Sequence, residues 1–173
     1  MQKLLIALFA ATLTLSLSLA QTNVAHAQAA KFLQQFNDWS SYERAGGSNK
    51  MCFAVSQPKD SKPKNANRGQ IVFYLTTWKN DNIKNQVSVK IGYPLRDGSK
   101  VTAIIGADKF TLFVKDDKAF IENTKDEGRL IAAMKKGSKM IVSGTSKRGT
   151  TTTDIYSLSG ITAALKHVAQ SCG

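Results

Sequence analysis

QIVFYLTTW, from Gln70 to Trp78, is the stretch that most strongly indicates the fold class. It is rich in β-branched and aromatic residues, which are typical of strands, and its apolar side chains stand at both odd and even positions. Such a run predicts a strand that is buried on both faces. Further along, residues 87–91 alternate between apolar and polar side chains, which is the pattern of a half-exposed antiparallel strand. We therefore expect a β-protein built around these two strands.

Further short strands are predicted on both sides of this pair. They lie at residues 50–56, 101–106, 109–115, 119–121, 139–146 and 149–158. The chain lacks the regular alternation of strands and helices that produces a parallel sheet. The sequence therefore predicts a mainly β domain of many short strands, with two or three helices.

Two helices are predicted in the second half of the chain, near residues 125–136 and near residues 160–171. The first has a candidate capping box at Thr124 and Glu127, and Gly137 suits a left-handed stop at its end. The second has one apolar stripe at the spacing of a helix face, formed by Ile161, Ala164, Leu165, Val168 and Cys172. Cys172 is therefore expected to face the core.

Residues 1–27 have the three parts of a cleavable secretory signal peptide. Lys3 makes a positive start, Leu4–Leu19 is uncharged and apolar, and Ala25-His26-Ala27 is a small-x-small pattern that places the cut before Gln28. The alternative is an anchor that stays attached, but Ser and Thr residues weaken a stretch already short of the roughly 20 apolar residues that span a bilayer. No transmembrane anchor is expected in the mature chain.

Cleavage leaves 173 − 27 = 146 residues, the size of one ordinary domain. We expect a lead-in segment over residues 28–50 and the β domain over residues 51–173. Apolar residues of the lead-in recur at helical spacing, at Ala29, Phe32, Leu33 and Phe36. This spacing predicts a short amphipathic helix over residues 28–40, and the alternative is a loosely ordered N-terminus.

The mature chain is strongly basic. The whole sequence has a net charge of +12 and the removed segment carries one Lys and no acid, so the mature value is 12 − 1 = +11. This charge favours anionic partners such as glycans, lipopolysaccharide or phospholipid surfaces, whereas the alternative is that it only keeps the protein dispersed. The candidate contacts lie in two loops, Lys62, Lys64 and Arg68 in the first and Lys147 and Arg148 in the second. Because no aromatic residues interleave with these cations and the chain is exported, no nucleic-acid partner is expected.

Cys52 and Cys172 are the only cysteines, and in an oxidising compartment two thiols usually form one disulfide. Two buried free thiols or an intermolecular bridge are the alternatives. His167 is the only histidine of the mature chain, and no ligand spacing accompanies it, so neither a metal nor another cofactor is expected.

No catalytic residues can be assigned from the sequence. A Ser-His-Asp hydrolase would have to use His167, and the G-x-S-x-G pattern is absent because Gly144–Gly149 has one residue too many after the serine. The adjacent acids Asp116-Asp117 and Asp126-Glu127 suit a turn and a helix N-terminus. A small periplasmic hydrolase or accessory enzyme acting on envelope polymers remains the alternative to a binding protein.

Several segments together resemble the invasion-associated locus B family of Gram-negative envelope proteins. They are Trp39, Cys52-x-x-x-Ser56-x-Pro58, Val89–Leu95, Phe110-x-Leu112-Phe113, Ile131–Gly137, Gly144–Thr150, Asp154–Gly160 and Cys172. The resemblance implies an exported periplasmic or outer-membrane-associated domain built as an antiparallel β-sandwich, and it supplies no catalytic residues. Asp154 and Tyr156 match the family pattern and are expected to serve a turn-side hydrogen bond and strand packing.

The family is named for a part in host-cell entry. With the basic charge, the resemblance predicts a non-enzymatic envelope protein that serves host-cell interaction or envelope maintenance. Its partner would be an anionic envelope or host-surface component, such as a glycan or lipopolysaccharide, or an envelope protein.

Overall fold

The computed structural model describes residues 29–44 and 50–172 of the chain. Within them lie eleven strands and two helices: β1 (Lys31–Phe36), β2 (Trp39–Arg44), β3 (Met51–Ser56), β4 (Asp60–Lys62), β5 (Val72–Trp78), β6 (Ile83–Lys90), β7 (Lys100–Ile105), β8 (Asp108–Lys115), β9 (Lys118–Phe120), α1 (Thr124–Lys136), β10 (Lys139–Thr145), β11 (Thr151–Ser157) and α2 (Ile161–Cys172). The predicted signal peptide, residues 1–27, and its cleavage site between Ala27 and Gln28 lie outside the described residues.

The strands form one sheet in the order β1-β2-β3-β5-β6-β9-β8-β7-β10-β11-β4, and every pairing among the described residues is antiparallel. The sheet folds over on itself. Trp39 of β2 donates from Nε1 to the carbonyl oxygen of Ser157 in β11 at 3.0 Å, and the rings of Phe73 in β5 and Tyr156 in β11 lie 5.8 Å apart. These contacts join opposite ends of the strand order around one core. The predicted antiparallel, sandwich-like single domain is confirmed.

Strand β5 is buried along one face and mostly half-buried along the other, where only Val72 is buried, which corrects the prediction for residues 70–78. Phe73 and Leu75 are fully buried in the core, whereas Tyr74 and Trp78 on the opposite face are half-buried. The second face is apolar because it carries aromatic side chains with polar groups at their edges, which tolerate contact with water. No second layer is needed to explain its composition.

The helix predicted for residues 28–40 is wrong, because β1 and β2 form a hairpin in this part of the chain. Asn37 adopts a left-handed conformation (φ 50°) in the turn, which asparagine accepts more readily than most residues. Trp39 is fully buried, whereas Phe32 is 51% exposed. Pairing of β2 with β3 places the hairpin in the main sheet, so the sheet begins before the boundary predicted at residue 51.

Helix α1 has the predicted position but a different N-terminal cap. The side chain of Asn123 accepts a hydrogen bond from the backbone amide of Asp126 at 2.9 Å, so Asn123 and not Thr124 is the capping residue. The predicted capping box does not form. The Glu127 carboxylate instead accepts a hydrogen bond from the backbone amide of Val87 in β6.

Gly137 ends helix α1 in an extended conformation (φ −83°), which corrects the predicted left-handed stop. A Cβ at this position would lie 2.6 Å from Cγ2 of Ile105 and 3.1 Å from Cδ1 of Leu158. Glycine is therefore needed for space between the helix end and the core.

Helix α2 buries every residue of the predicted apolar stripe, namely Ile161, Ala164, Leu165, Val168 and Cys172. The predicted disulfide is present, and it joins Cys172 to Cys52 of β3 with a Cα–Cα distance of 5.8 Å. Both cysteines lie in the core. Among the described residues, no helix is long and apolar enough to cross a membrane.

Candidate functional site

Four of the five predicted contact cations lie together at one end of the sheet, which we call the basic end: Lys62, Lys64, Lys147 and Arg148. Lys62 closes β4 opposite Thr153 of β11, and Lys64 follows it in the next loop. Lys147 and Arg148 form the turn between β10 and β11. The two loops meet at a cavity of about 250 Å³, which Ala66 and Asn67 of the first loop and both cations of the second line.

The basic end keeps a positive charge after its ion pairs are counted. Lys64 pairs with Asp60, and Lys147 lies 3.5 Å from Asp97, in both cases at the exposed surface. The hydrogen bond from Lys64 lowers the pKa of Asp60, so this carboxylate is ionised at neutral pH. No carboxylate among the described residues pairs with Lys62 or Arg148. Four cations and two carboxylates leave a local charge of 4 − 2 = +2.

Arg68 is not an exposed contact, which corrects its prediction as part of the basic loop. Its side chain is only 5% exposed and pairs with Asp154, whose side chain is fully buried. Nη1 and Nη2 each donate to one carboxylate oxygen at 2.6 Å, the bidentate arrangement that suits a guanidinium. Nε and Nη2 also donate to the carbonyl oxygen of Ile91. An arginine so occupied cannot bind an external anion.

Asp154 lies within β11 and not at a turn, so its predicted role as a turn-side hydrogen bond is also corrected. It accepts a hydrogen bond from the hydroxyl of Ser61 in β4 at 2.7 Å in addition to the Arg68 pair. Arg68 in turn lies over the ring of Tyr93, 5.1 Å from its centroid. This buried group ties the loop after β4 to the sheet and so sets the position of the basic end.

Tyr156 is fully buried in β11, as strand packing predicted, and its ring contacts Phe73. Its hydroxyl has no hydrogen-bond partner among the described residues. Burial and the nearby Asp154 carboxylate raise the pKa of this phenol, so it stays neutral. Its position below the surface fits a packing role.

A second surface, which sequence patterns do not predict, is a groove of about 1170 Å³ on the outer face of strands β2, β3, β5, β6 and β9. We call it the aromatic groove. The aromatic side chains that line it are half-buried: Tyr42, Phe53, Tyr74, Trp78 and Phe120. The inner face of the same strands belongs to the core, where Cys52, Leu75 and Val87 are fully buried.

Strand register places these aromatic side chains beside one another. Tyr42 of β2 pairs with Phe53 of β3, and their rings are parallel within 10° with centroids 5.5 Å apart. The ring of Tyr74 in β5 follows at 6.1 Å from Phe53, and Phe32 of β1 meets the other side of Tyr42 edge-on at 5.5 Å. Aromatic pairs across strands are a recognised source of sheet stability, so part of this cluster has a structural role.

The polar residues of the aromatic groove include four cations and one carboxylate: Arg44, Lys59, Lys90, Lys118 and Asp38. Asp38 is paired with Lys59, whose hydrogen bond lowers the pKa of Asp38. Lys90 lies 3.5 Å from Asp117 beside the groove. Among the described residues, no carboxylate pairs with Arg44 or Lys118.

The aromatic groove and the basic end are connected. A third cavity, of about 570 Å³, shares Gln70 and Lys90 with the groove. It shares Tyr93, Pro94 and Lys147 with the small cavity of the basic end. Its own lining adds Asp116 and Asp117. A long ligand could therefore extend from one surface to the other.

His167 is half-buried and lies beside a serine. Its Nδ1 lies 3.0 Å from Oγ of Ser41 in β2, and its ring lies 5.4 Å from that of Phe36. Ser41 is fully buried and also donates to the carbonyl oxygen of Gln34. Neither Ser41 nor His167 lines any of the three cavities described above, and the contact between them joins helix α2 to strand β2.

The described residues contain no cluster of three or more His, Cys, Asp and Glu side chains that could hold a metal ion. The adjacent carboxylates Asp116 and Asp117 lie at the turn between β8 and β9, as predicted. Asp126 places a negative charge in the first turn of α1, where it favours the helix dipole, and it pairs with Arg129 at 3.0 Å.

The fold and these two surfaces define a small, disulfide-closed antiparallel β-domain with a basic end and an aromatic face. The chain belongs to the invasion associated locus B (IalB) protein family, whose sequence model matches residues 39–169. A solved structure, that of invasion associated protein B from Bartonella henselae, is similar with a TM-score of 0.57 and 14% sequence identity, over 80% of this chain and 96% of that chain. At this identity the likeness concerns the fold alone. No curated protein matches the chain.

Sequence reasoning found the cations of the basic end but missed the aromatic groove. Its five aromatic residues are dispersed over four strands, and no two of them are neighbours in sequence. One signal was present in the stretch from Gln70 to Trp78. Its even positions include Tyr74 and Trp78, whereas its odd positions include Ile71, Phe73 and Leu75. Tyrosine and tryptophan on one face of a strand suit a half-exposed face better than a buried one, because each has a polar group at the edge of its ring.

Proposed function

We propose that this protein is exported and binds, without catalysis, an anionic component of the cell envelope or of a host surface through its basic end. The observation that carries this proposal is a cavity where two basic loops meet: Lys147 and Arg148 line it together with Ala66 and Asn67, which belong to the loop that follows Lys62 and Lys64. Convergence of cations raises the local potential for anions more than dispersed charges do. The predicted mature charge of +11 adds long-range attraction.

The Arg68–Asp154 pair supports a binding role because it makes the basic end rigid. The loop that carries Lys62 and Lys64 is fixed through Arg68 to β11 and to Ile91. Gly92 permits this close approach, since a Cβ there would lie 2.6 Å from the carbonyl oxygen of Gly69. A loop whose backbone is already held in place loses less conformational freedom when a ligand binds.

A non-enzymatic role is supported by the place of the one serine–histidine contact described above. Ser41 is fully buried and is bonded to its own hairpin. The description of the family names an association with invasion and no reaction.

The experiment is retention on heparin and on immobilised lipopolysaccharide, with protein recovered from the periplasm. Its intact mass should correspond to a chain that starts at Gln28, and a mass that includes residues 1–27 would contradict the predicted cleavage. A variant with glutamine at Lys62, Lys64, Lys147 and Arg148 should bind about tenfold more weakly than the wild type, because several exposed charge contacts are lost together. Added salt should reduce the difference between the two.

The matched control replaces four exposed lysines outside both surfaces, Lys109, Lys125, Lys139 and Lys166, by glutamine. It changes the net charge by the same amount and should retain most of the binding. Equal losses in the two variants would mean that retention depends on net charge alone, and the basic end would then not be a site.

A further inference from the structure

We propose that the aromatic groove binds the sugar rings of an acidic polysaccharide chain. This inference rests on the proposed function and names the class of its ligand, because the groove is connected to the basic end through shared lining residues. The ligand would lie across strands β2 to β9 and place anionic groups near cations at both ends of this path.

The first reason is that this sheet face is an open groove in the part of the chain that the structure describes. Helix α2 packs against the core face of β2, β3 and β5, where it buries Ala164, Leu165 and Val168. The outer face keeps the half-buried rings of Phe53 and Tyr74 at the surface. Its five strands span roughly 19 Å at about 4.8 Å per strand spacing, which suits an extended chain.

The second reason is the alternation of apolar and polar groups in the groove. Aromatic rings of Tyr42, Phe53 and Trp78 stand among the side chains of Gln86 and Ser88. A sugar ring has C–H groups that pack on aromatic surfaces and hydroxyl groups at its rim that need hydrogen-bond partners. An acyl chain cannot form hydrogen bonds with the amide of Gln86 or the hydroxyl of Ser88. Removing water from these groups without replacing its hydrogen bonds would oppose the binding of an acyl chain.

The groove also has hydrogen-bonding groups fixed in place. Trp78 Nε1 donates to the Gln86 side-chain oxygen at 3.3 Å, so the Gln86 nitrogen is left directed away from this contact as a donor. Burial raises the pKa of the Tyr74 hydroxyl, which is therefore a neutral donor and acceptor. Neutral groups of this kind suit hydroxyl-rich ligands.

The third reason is charge. The groove has four cations against the single carboxylate of Asp38, which Lys59 already neutralises. Arg44 and Lys118 have no carboxylate partner among the described residues and stand at the rim. A neutral glycan would leave these charges unused, whereas a uronate-bearing chain would pair with them.

The experiment uses the intrinsic fluorescence of the mature protein, because the chain contains only two tryptophans and one of them lines the groove. Trp39 is fully buried, whereas Trp78 is half-buried. Titration with a galacturonate oligosaccharide should change the emission saturably, and the change should disappear in Trp78→Phe. The fully methyl-esterified oligosaccharide, which has the same sugar rings without their charge, should bind several-fold more weakly.

Calorimetric titration then tests the groove without relying on Trp78. Phe53→Ala should lower the affinity for the galacturonate oligosaccharide about tenfold, because one aromatic contact is lost. Phe36→Ala is the matched control, since Phe36 is a half-buried phenylalanine that contacts His167 and does not line the groove, and it should bind like the wild type. Phe53→Leu removes the ring but keeps an apolar side chain of similar size, so it serves as the second variant if Phe53→Ala does not fold, and it should also lower the affinity.

The outcomes separate this inference from the proposed function. Retention on heparin that depends on the basic end, together with no saturable response to galacturonate, would overturn the groove and leave the proposed function standing. Equal affinity for the charged and esterified forms would overturn the acidic character of the ligand. A response to dodecanoate alone, or a concentration-dependent dimer that Phe53→Ala abolishes, would show that a lipid or a second copy occupies the groove instead.

Discussion

Arg68 shows at the scale of one residue how much the surroundings decide. In the sequence it is one of several cations in the loop QPKDSKPKNANRG, with nothing to separate it from Lys62 and Lys64. Its partner Asp154 lies 86 residues away, and only the pairing of β4 with β11 brings the two together. A charge that could have contacted a ligand instead holds the loop that carries the ligand contacts.

Asp154→Asn should lower the free energy of unfolding by about 3–5 kcal/mol, because the buried guanidinium of Arg68 would lose its charged partner. Urea denaturation of the mature protein measures this change. Asp60→Asn is the matched control, since it makes the same substitution in the exposed pair with Lys64, and it should leave stability almost unchanged. Comparable small losses in both variants would argue against a structural role for the buried pair.

At the scale of secondary-structure elements, Glu127 completes the hydrogen bonding of β6. Strand β9 ends at Phe120, so it pairs with β6 only at Ser88, Val89 and Lys90. Val87 lies beyond the end of β9, so β9 offers no acceptor for its backbone amide. The Glu127 carboxylate of α1 accepts this hydrogen bond at 2.5 Å. The helix thus supplies the hydrogen-bond acceptor that a longer β9 would have supplied. This explains why Glu127 takes no part in a capping box.

Glu127→Gln tests this link through pH. Burial raises the pKa of Glu127 above its ordinary value of 4.5, against the opposing effect of the Val87 hydrogen bond. A carboxyl group with a raised pKa binds its proton more tightly in the folded protein, so lowering the pH through that pKa towards 4.5 stabilises the wild type. The glutamine variant keeps the acceptor oxygen and loses this titration.

Urea denaturation of the two proteins between neutral pH and about pH 4.5 should therefore show the wild type gaining stability relative to Glu127→Gln as the pH falls. A relative loss for the wild type over the same range would refute the assignment. Glu127→Ala should cost about 1–3 kcal/mol at neutral pH, because it leaves the buried amide of Val87 without an acceptor, and the cost should grow as the pH falls, since alanine also lacks the titration.

At the scale of the whole molecule, the disulfide joins the third strand of the described fold to its last helix. Cys52 and Cys172 are separated by 120 residues, so the bond closes a loop that contains most of the sheet. Helix α2 contacts β1, β2, β3 and β5, and its attachment therefore stabilises one layer of the sandwich as a unit.

The double variant Cys52→Ala, Cys172→Ala should have a free energy of unfolding about 4–5 kcal/mol below that of the oxidised protein, because the open unfolded chain gains conformational entropy. Urea denaturation with and without a reductant measures the effect, and the reduced wild type should resemble the double variant. A loss smaller than about 1 kcal/mol would mean that packing of α2 alone holds the layer in place.

The sequence by itself determined the features that depend on neighbouring residues or on a unique pair. The stripe of α2, from Ile161 to Cys172, was predicted residue by residue because helical periodicity is a property of contiguous sequence. The disulfide could be predicted because the chain has two cysteines, and the antiparallel fold because its strands are short and follow one another.

Only the tertiary structure decided which side of β5 is open, which cations are free and which aromatic residues share a surface. Predictions from short segments were wrong where strand pairing overrides the local pattern. The apolar spacing of residues 28–40 fits a helix, but pairing of β1 with β2 and of β2 with β3 requires strands there. Burial and electrostatic pairing depend on distances between residues that are remote in sequence, such as Arg68 and Asp154 or Phe53 and Tyr74. Those distances exist only once strand register is set, because register determines which side chains stand side by side.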